Sequence, residues 1–145
     1  MMRELTLEHV EQLAHRLARQ VMSWDEPIPD FTTRFPGKLE SSLKAPLQTY
    51  GGKDLYPLLV DKAAILFYLM IKNHPFQNGN KRIAVTSLFV FLDLNNRWLS
   101  MHPDTLYQVA MFVAQSPAEM KEAAVQGIKQ IIAKYLVVKG KRLPD

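Results

Sequence analysis

Two nearly all-apolar helical segments, joined by one short polar loop, leave this chain few folds to choose from. From Asp54 the pattern predicts a helix with Pro57 in its first turn; Leu59, Ala63, Leu66 and Met70 form one stripe, and Leu58, Ile65, Phe67 and Leu69 fill the other sides. His74-Pro75 ends it, because a residue before proline is pushed out of the α region. A second such helix runs from about Lys81 to Leu94 through Ile83, Ala84, Leu88, Phe89, Phe91 and Leu92, and stops at Asn95-Asn96. Helices apolar on nearly every side belong at the centre, and the short connection makes the two antiparallel.

The remaining segments read as elements that wrap this pair. After Thr6 as N-cap, Val10, Leu13, Ala14, Leu17 and Val21 mark an amphipathic helix to about Met22. Trp24 to Pro36 holds three prolines and reads as an extended connection, followed by a short helix over Lys38 to Lys44 closed by Pro46. Leu47-Gln48-Thr49-Tyr50 suits a short strand or flap arm turning on Gly51-Gly52, and nothing else offers partners for a sheet. A fourth helix is predicted from Pro103-Asp104 to Ala114, and a fifth opens on the capping box Ser116-Pro117-Ala118-Glu119 and continues to about Val137. The expected fold is an all-α bundle with one short flap or β-hairpin before the central helix.

Composition sets the outer bounds. A chain of 145 residues buries roughly 70% of the surface its unfolded form exposes, so a single domain over residues 1–145 can hold a core without disulfides, and there is no cysteine to form one. Residues 1–10 lack the apolar stretch of a secretory signal, and the run Ala63 to Ile71 is about half the roughly 20 residues that span a bilayer. A cytoplasmic protein with no membrane partner is expected. The net charge of +4 includes Lys139, Lys141 and Arg142 in the tail, too little to argue for nucleic acid.

Chemistry concentrates between the central helices, in His74-Pro75-Phe76-Gln77-Asn78-Gly79-Asn80 followed by Lys81 and Arg82. A helix N-terminus offers unpaired amides and a positive dipole end, and Gly79 permits close approach to the backbone, which together make an anion site. Lys81 adds a point charge and Arg82 a planar fork, a pair suited to polyphosphate. His74 stands at the mouth of that site, able to take a proton from an attacking hydroxyl. The plainer reading stays open beside this one: His and Asn as ordinary loop and cap residues, Gly79 as a tight turn, Lys81 and Arg82 as solvated charges. Phe76 reads as a core anchor that pins the loop. Elsewhere His15 suits a surface ion pair with Glu11, His9 and His102 have no metal-spaced partners, and Met70, Met101, Met111 and Met120 fall on apolar faces.

The string His74-Pro75-Phe76-x-x-Gly79-Asn80-x-Arg82 resembles the signature of the Fic/Doc proteins. Leu39 to Leu43, Gln48 to Pro57, Lys62-Ala63-Ala64 and Asn80-Lys81-Arg82 are similar to the death-on-curing, or Doc, branch, and the likeness covers about residues 4 to 100. It implies a helical transferase that moves a phosphate-containing group from ATP or another nucleoside triphosphate to a protein hydroxyl. By the same resemblance His74 is the general base, Gly79 and Asn80 cradle phosphate, and Arg82 clamps it. Most Fic members move AMP; Doc moves the terminal phosphate, onto elongation factor Tu. Lys81 matches Doc, where AMP-transferring members usually have glycine, and Val85 replaces their second arginine. Asn78 replaces the acid that holds Mg²⁺ in the family, and an amide is the weaker ligand for a hard cation.

The resemblance also implies a separate antitoxin docking beside His74, since no inhibitory Ser/Thr-x-x-x-Glu helix string occurs here. The flap of Thr49, Tyr50, Gly51, Gly52 and Lys53 would line up the target segment by strand addition. Two alternatives remain at this point: an AMP-transferase of the Fic type, and a catalytically weak or inactive module that binds a nucleotide or a partner.

Overall fold

In the computed structural model, which describes residues 2–21 and 27–139, the two apolar segments form the central antiparallel pair. The expected stretch from Met22 to Glu26 and the basic tail Lys141-Arg142 lie outside the described residues. Helix α1 covers residues 7–20, α2 Pro36–Lys44, α3 Leu59–Lys72, α4 Asn80–Leu94, α5 Pro103–Gln115 and α6 Lys121–Tyr135. Strands β1 (Thr49–Tyr50) and β2 (Lys53–Asp54) pair as a hairpin before α3. The fold is helical, with two small two-stranded ribbons. Leu66, Phe67, Met70, Ile83, Leu88 and Leu92 of α3 and α4 are buried at its centre, where α1, α5 and α6 pack around them.

Several boundaries differ from the sequence reading, each for a local reason. Helix α3 begins at Leu59, not Asp54: Asp54 is drawn into β2, and the Asp61 carboxylate caps the helix by accepting from the Leu58 amide at 3.0 Å. The capping box at Ser116 does not form, because its hydroxyl donates back to the Val113 carbonyl at 2.6 Å; a 3₁₀ turn, Ala118–Met120, follows before α6. Helix α6 stops at Tyr135, since Leu136–Val138 becomes strand β4, paired antiparallel with β3 (Arg97–Leu99). This second ribbon was not anticipated: each strand is three residues long, too short for an alternating pattern to register.

Helix α1 hides a larger departure. Between the α-helical turns Leu7–His9 and His15–Gln20, residues Val10–Ala14 are π-helical, and the His15 amide reaches back five residues to the Val10 carbonyl. The inserted residue rotates the following face. Leu13, assigned to the buried stripe, is 48% exposed, and His15, read as a surface partner of Glu11, is 5% exposed in the core. Thr6 caps the helix as expected, with His9 Nδ1 accepting from the Thr6 amide at 3.0 Å, and His102 Nδ1 caps α5 through the Asp104 amide at 3.1 Å. Of the methionines among the described residues only Met70 is fully buried; Met111 faces outward from α5 and Met120 from the 3₁₀ turn before α6.

Candidate functional site

Helix α3 ends at Lys72, and the chain turns sharply at His74, whose φ of 49° is left-handed. A non-glycine residue there stores about 1–3 kcal/mol of strain, which persists only where its surroundings dictate it. They do so here. Pro75 follows with its carbonyl accepting from the Phe35 amide at 2.9 Å, and Phe76 is fully buried against His15 and Phe31, ring centroids 5.9 and 6.0 Å away. The His74 side chain is thereby left exposed at the surface, without a hydrogen bond or ion pair among the described residues.

Asn80 closes the loop from the other end. Its side-chain oxygen accepts from the Phe76 amide and its side-chain nitrogen donates to the Phe76 carbonyl, both at 2.9 Å, so one amide mimics a strand partner for one residue. Gly79, with φ 74°, is the residue that turns the loop into α4. A Cβ added there would lie 2.8 Å from the Ile28 side chain, so the glycine serves the turn and the packing of residues 27–30, and that face is closed to a ligand. The first ladder bond of α4 runs from the Ile83 amide to the Gly79 carbonyl; the preceding amides lie before it, at the positive end of the dipole.

The two cations that follow are placed differently. Lys81 is half-buried on the first turn of α4 and makes no ion pair or hydrogen bond with the described residues. Arg82 is 3% exposed and turns inward: its Nη2 donates to the carbonyls of Ala18 at 2.5 Å and Val21 at 3.0 Å, at the C-terminal end of α1. One turn further along α4, the Thr86 hydroxyl donates to the Ala14 carbonyl at 2.8 Å. Arg82 and Thr86 thus stitch the loop-bearing helix to α1. Asn78 is half-buried, Gln77 is exposed, and no group of three acidic, His or Cys residues gathers among the described residues.

Residues missed by sequence reasoning stand beneath this loop. His15 Nε2 lies 2.8 Å from the Pro29 carbonyl and its ring meets Phe31 edge-on at 5.5 Å. Burial, offset in part by that hydrogen bond, lowers its pKa below the ordinary 6.5, so it is held neutral and donates to Pro29. The signal was faint: Ala14 and Ala18, one turn apart, mark the closely packed face beside it.

The hairpin is a separate feature. Gly51 and Gly52 have φ of 59° and 80°, as a two-residue turn with left-handed centre requires, and Thr49, Tyr50 and Lys53 are exposed, Tyr50 by 82%. Its side-chain tie goes to Lys62 of α3, ten residues and roughly 15 Å of helix axis before the end of that helix at Lys72. The structure therefore gathers His74, Phe76, Gly79, Asn80, Lys81 and Arg82 into one loop and helix end, and anchors the flap elsewhere.

Residues 4–92 match the Fic/DOC family, the loop and both central helices included. The chain belongs to that family. It is also 41% identical over 59 residues to "Toxin Doc" of Mycolicibacterium smegmatis, a match covering 41% of this chain and 45% of that protein. The chain thus spans under half the length of the curated relative it matches. No solved structure matches it. Among the described residues no helix is long and apolar enough to cross a membrane.

Proposed function

We propose that this family member is a Doc-like toxin that transfers the terminal phosphate of a nucleoside triphosphate to a hydroxyl of a protein target, and that a separate antitoxin restrains it. The observation that carries this reading is an exposed imidazole in left-handed backbone, six residues before the N-terminus of α4, whose first turn bears a half-buried Lys81; neither side chain has a polar partner among the described residues. In the proposed step the His74 imidazole takes the proton from the target hydroxyl as its oxygen bonds to the γ-phosphorus. The bond from that phosphorus to the β,γ-bridging oxygen breaks and the nucleoside diphosphate leaves.

Lys81 and the first amides of α4 supply the charge that steadies the phosphates. Arg82, which the resemblance makes a direct clamp, has Nη2 committed to α1, so we assign it the positioning of that helix end. The target is a translation factor such as elongation factor Tu, by the resemblance stated above. Residues 73–82 carry amides and no carboxylate, and no group of three acidic, His or Cys side chains gathers among the described residues, which does not fit a resident Mg²⁺ site. Magnesium that the nucleotide carries on its own phosphates needs no such site.

Incubation of the protein with a cell extract and either γ-labelled or α-labelled ATP tests the assignment. Label from the γ-position, lost by a factor of about 10²–10⁴ in His74→Ala, is the expected result. Transfer of α-label instead replaces it with AMP transfer, and no transfer of either leaves the binding module. Asn78→Asp should raise Mg²⁺ affinity and turnover; an unchanged rate across a magnesium titration would refute this account of the loop.

A further inference from the structure

Helix α3 is apolar nearly all round, yet Lys62 sits in it 5% exposed, between Asp61 and Ala63. A buried ammonium is costly unless it is paired and hydrogen-bonded, and a methionine would fill the same space with nothing to desolvate. What Lys62 touches accounts for it. Its Nζ donates to the Pro46 carbonyl at 3.1 Å and lies 3.5 Å from the Asp54 carboxylate. Pro46 belongs to the 3₁₀ turn Ala45–Leu47 that leads into β1, and Asp54 is the last residue of β2. One buried charge thus holds both the entry and the exit of the hairpin.

The hairpin's entry is seated by buried Ala45 and Pro46 and its base is closed by the Leu55 amide donating to the Gln48 carbonyl at 2.9 Å, but the exit at Asp54 has Lys62 as its side-chain tie. Its strands are two residues each and exposed throughout, and a hairpin of that size is marginal on its own. Beside its base opens a cleft of about 420 Å³, bordered by Arg3, Glu4, Leu47, Asp54, Lys62 and Phe91. Lys62 lines this cleft, and its Nζ joins the entry turn at Pro46 to the exit at Asp54. We propose that Lys62 is a positioning residue that sets the direction of the 49–54 hairpin, through Pro46 and Asp54, while touching neither nucleotide nor target. Its consequence for transfer rests on the reading of that hairpin as the target flap.

Backbone ¹⁵N relaxation on Lys62→Met tests it. Order parameters at residues 49–54 are expected to fall from about 0.85 to below about 0.6, with those of α3 and α4 unchanged and the thermal midpoint equal or higher. Unchanged hairpin order parameters would overturn the proposal. Asp54→Asn should loosen the hairpin less, and adding it to Lys62→Met should change nothing more, because the two act through one contact. Should Lys62→Met not fold, Asp54→Asn decides by the same measurement, a rigid hairpin again overturning the proposal. Transfer of γ-label to extract protein should drop about tenfold in Lys62→Met with ATP binding unchanged. A loosened hairpin with undiminished transfer would uphold the positioning role and remove the flap reading.

Discussion

The loop of residues 73–79 and the hairpin of residues 49–54 are both short turns built on left-handed glycines, and they are held in opposite ways. The loop is fastened at each residue that matters: Phe76 is buried between His15 and Phe31, Asn80 bonds both backbone groups of Phe76, and Ile28 fills the space beside Gly79. The hairpin is exposed along both strands and held at its base, by the buried turn at Ala45-Pro46, a backbone bond from Leu55 to Gln48 and the buried Lys62. Over-determination suits the role proposed for the loop, in which a proton and a phosphoryl group would have to meet within a fraction of an ångström. A projecting arm with a fixed root and a bare edge suits contact with another chain, whose own backbone completes the pairing.

The largest expected effect tests the first half of that contrast. Phe76→Ala should cost about 3–5 kcal/mol in urea denaturation, because it empties the space that pins the loop from below. A loss under about 1 kcal/mol would mean that the loop is held by its hydrogen bonds alone. In the hairpin, Gly51→Pro with Gly52→Pro demands φ near −65° where the chain has 59° and 80°. It should abolish target labelling while shifting stability by less than about 1 kcal/mol and leaving nucleotide binding intact. Loss of all three together would show that the hairpin is part of the core rather than an appendage.

The smallest effect is one of pH and belongs to the loop alone. His15 has its pKa lowered in the folded state by burial, so the unfolded chain binds the proton more readily. Stability from this residue is complete above the ordinary value of 6.5 and declines as pH falls through it toward the depressed value. Denaturation at pH 7, 6 and 5 should show a slope that His15→Phe flattens, while hairpin variants keep it. An unchanged slope would place the titrating group elsewhere.

How far these regions could be read in advance differs for a physical reason. The loop residues were legible as a contiguous string, and the hairpin from Gly51-Gly52, since few other residues enter left-handed backbone freely. The partners that shape the loop were not: Ile28, Phe31 and His15 come from other segments, and the π turn in α1 reverses the expected places of Leu13 and His15. Arg82 is the sharpest case. Its spacing suggested a solvent-facing or ligand-facing fork, and the unpaired carbonyls at the end of α1 claimed its Nη2 instead.

By itself the sequence determined the central pair of helices, their antiparallel course and the family, because apolar periodicity and a short motif act through neighbours a few residues apart. Tertiary structure alone decided which polar side chains turn inward: Lys62 to the root of the hairpin, Arg82 and Thr86 to the carbonyls of α1, His15 to Pro29. A buried donor must find an acceptor, and each of these four found one in another segment, 14 to 72 positions away along the chain.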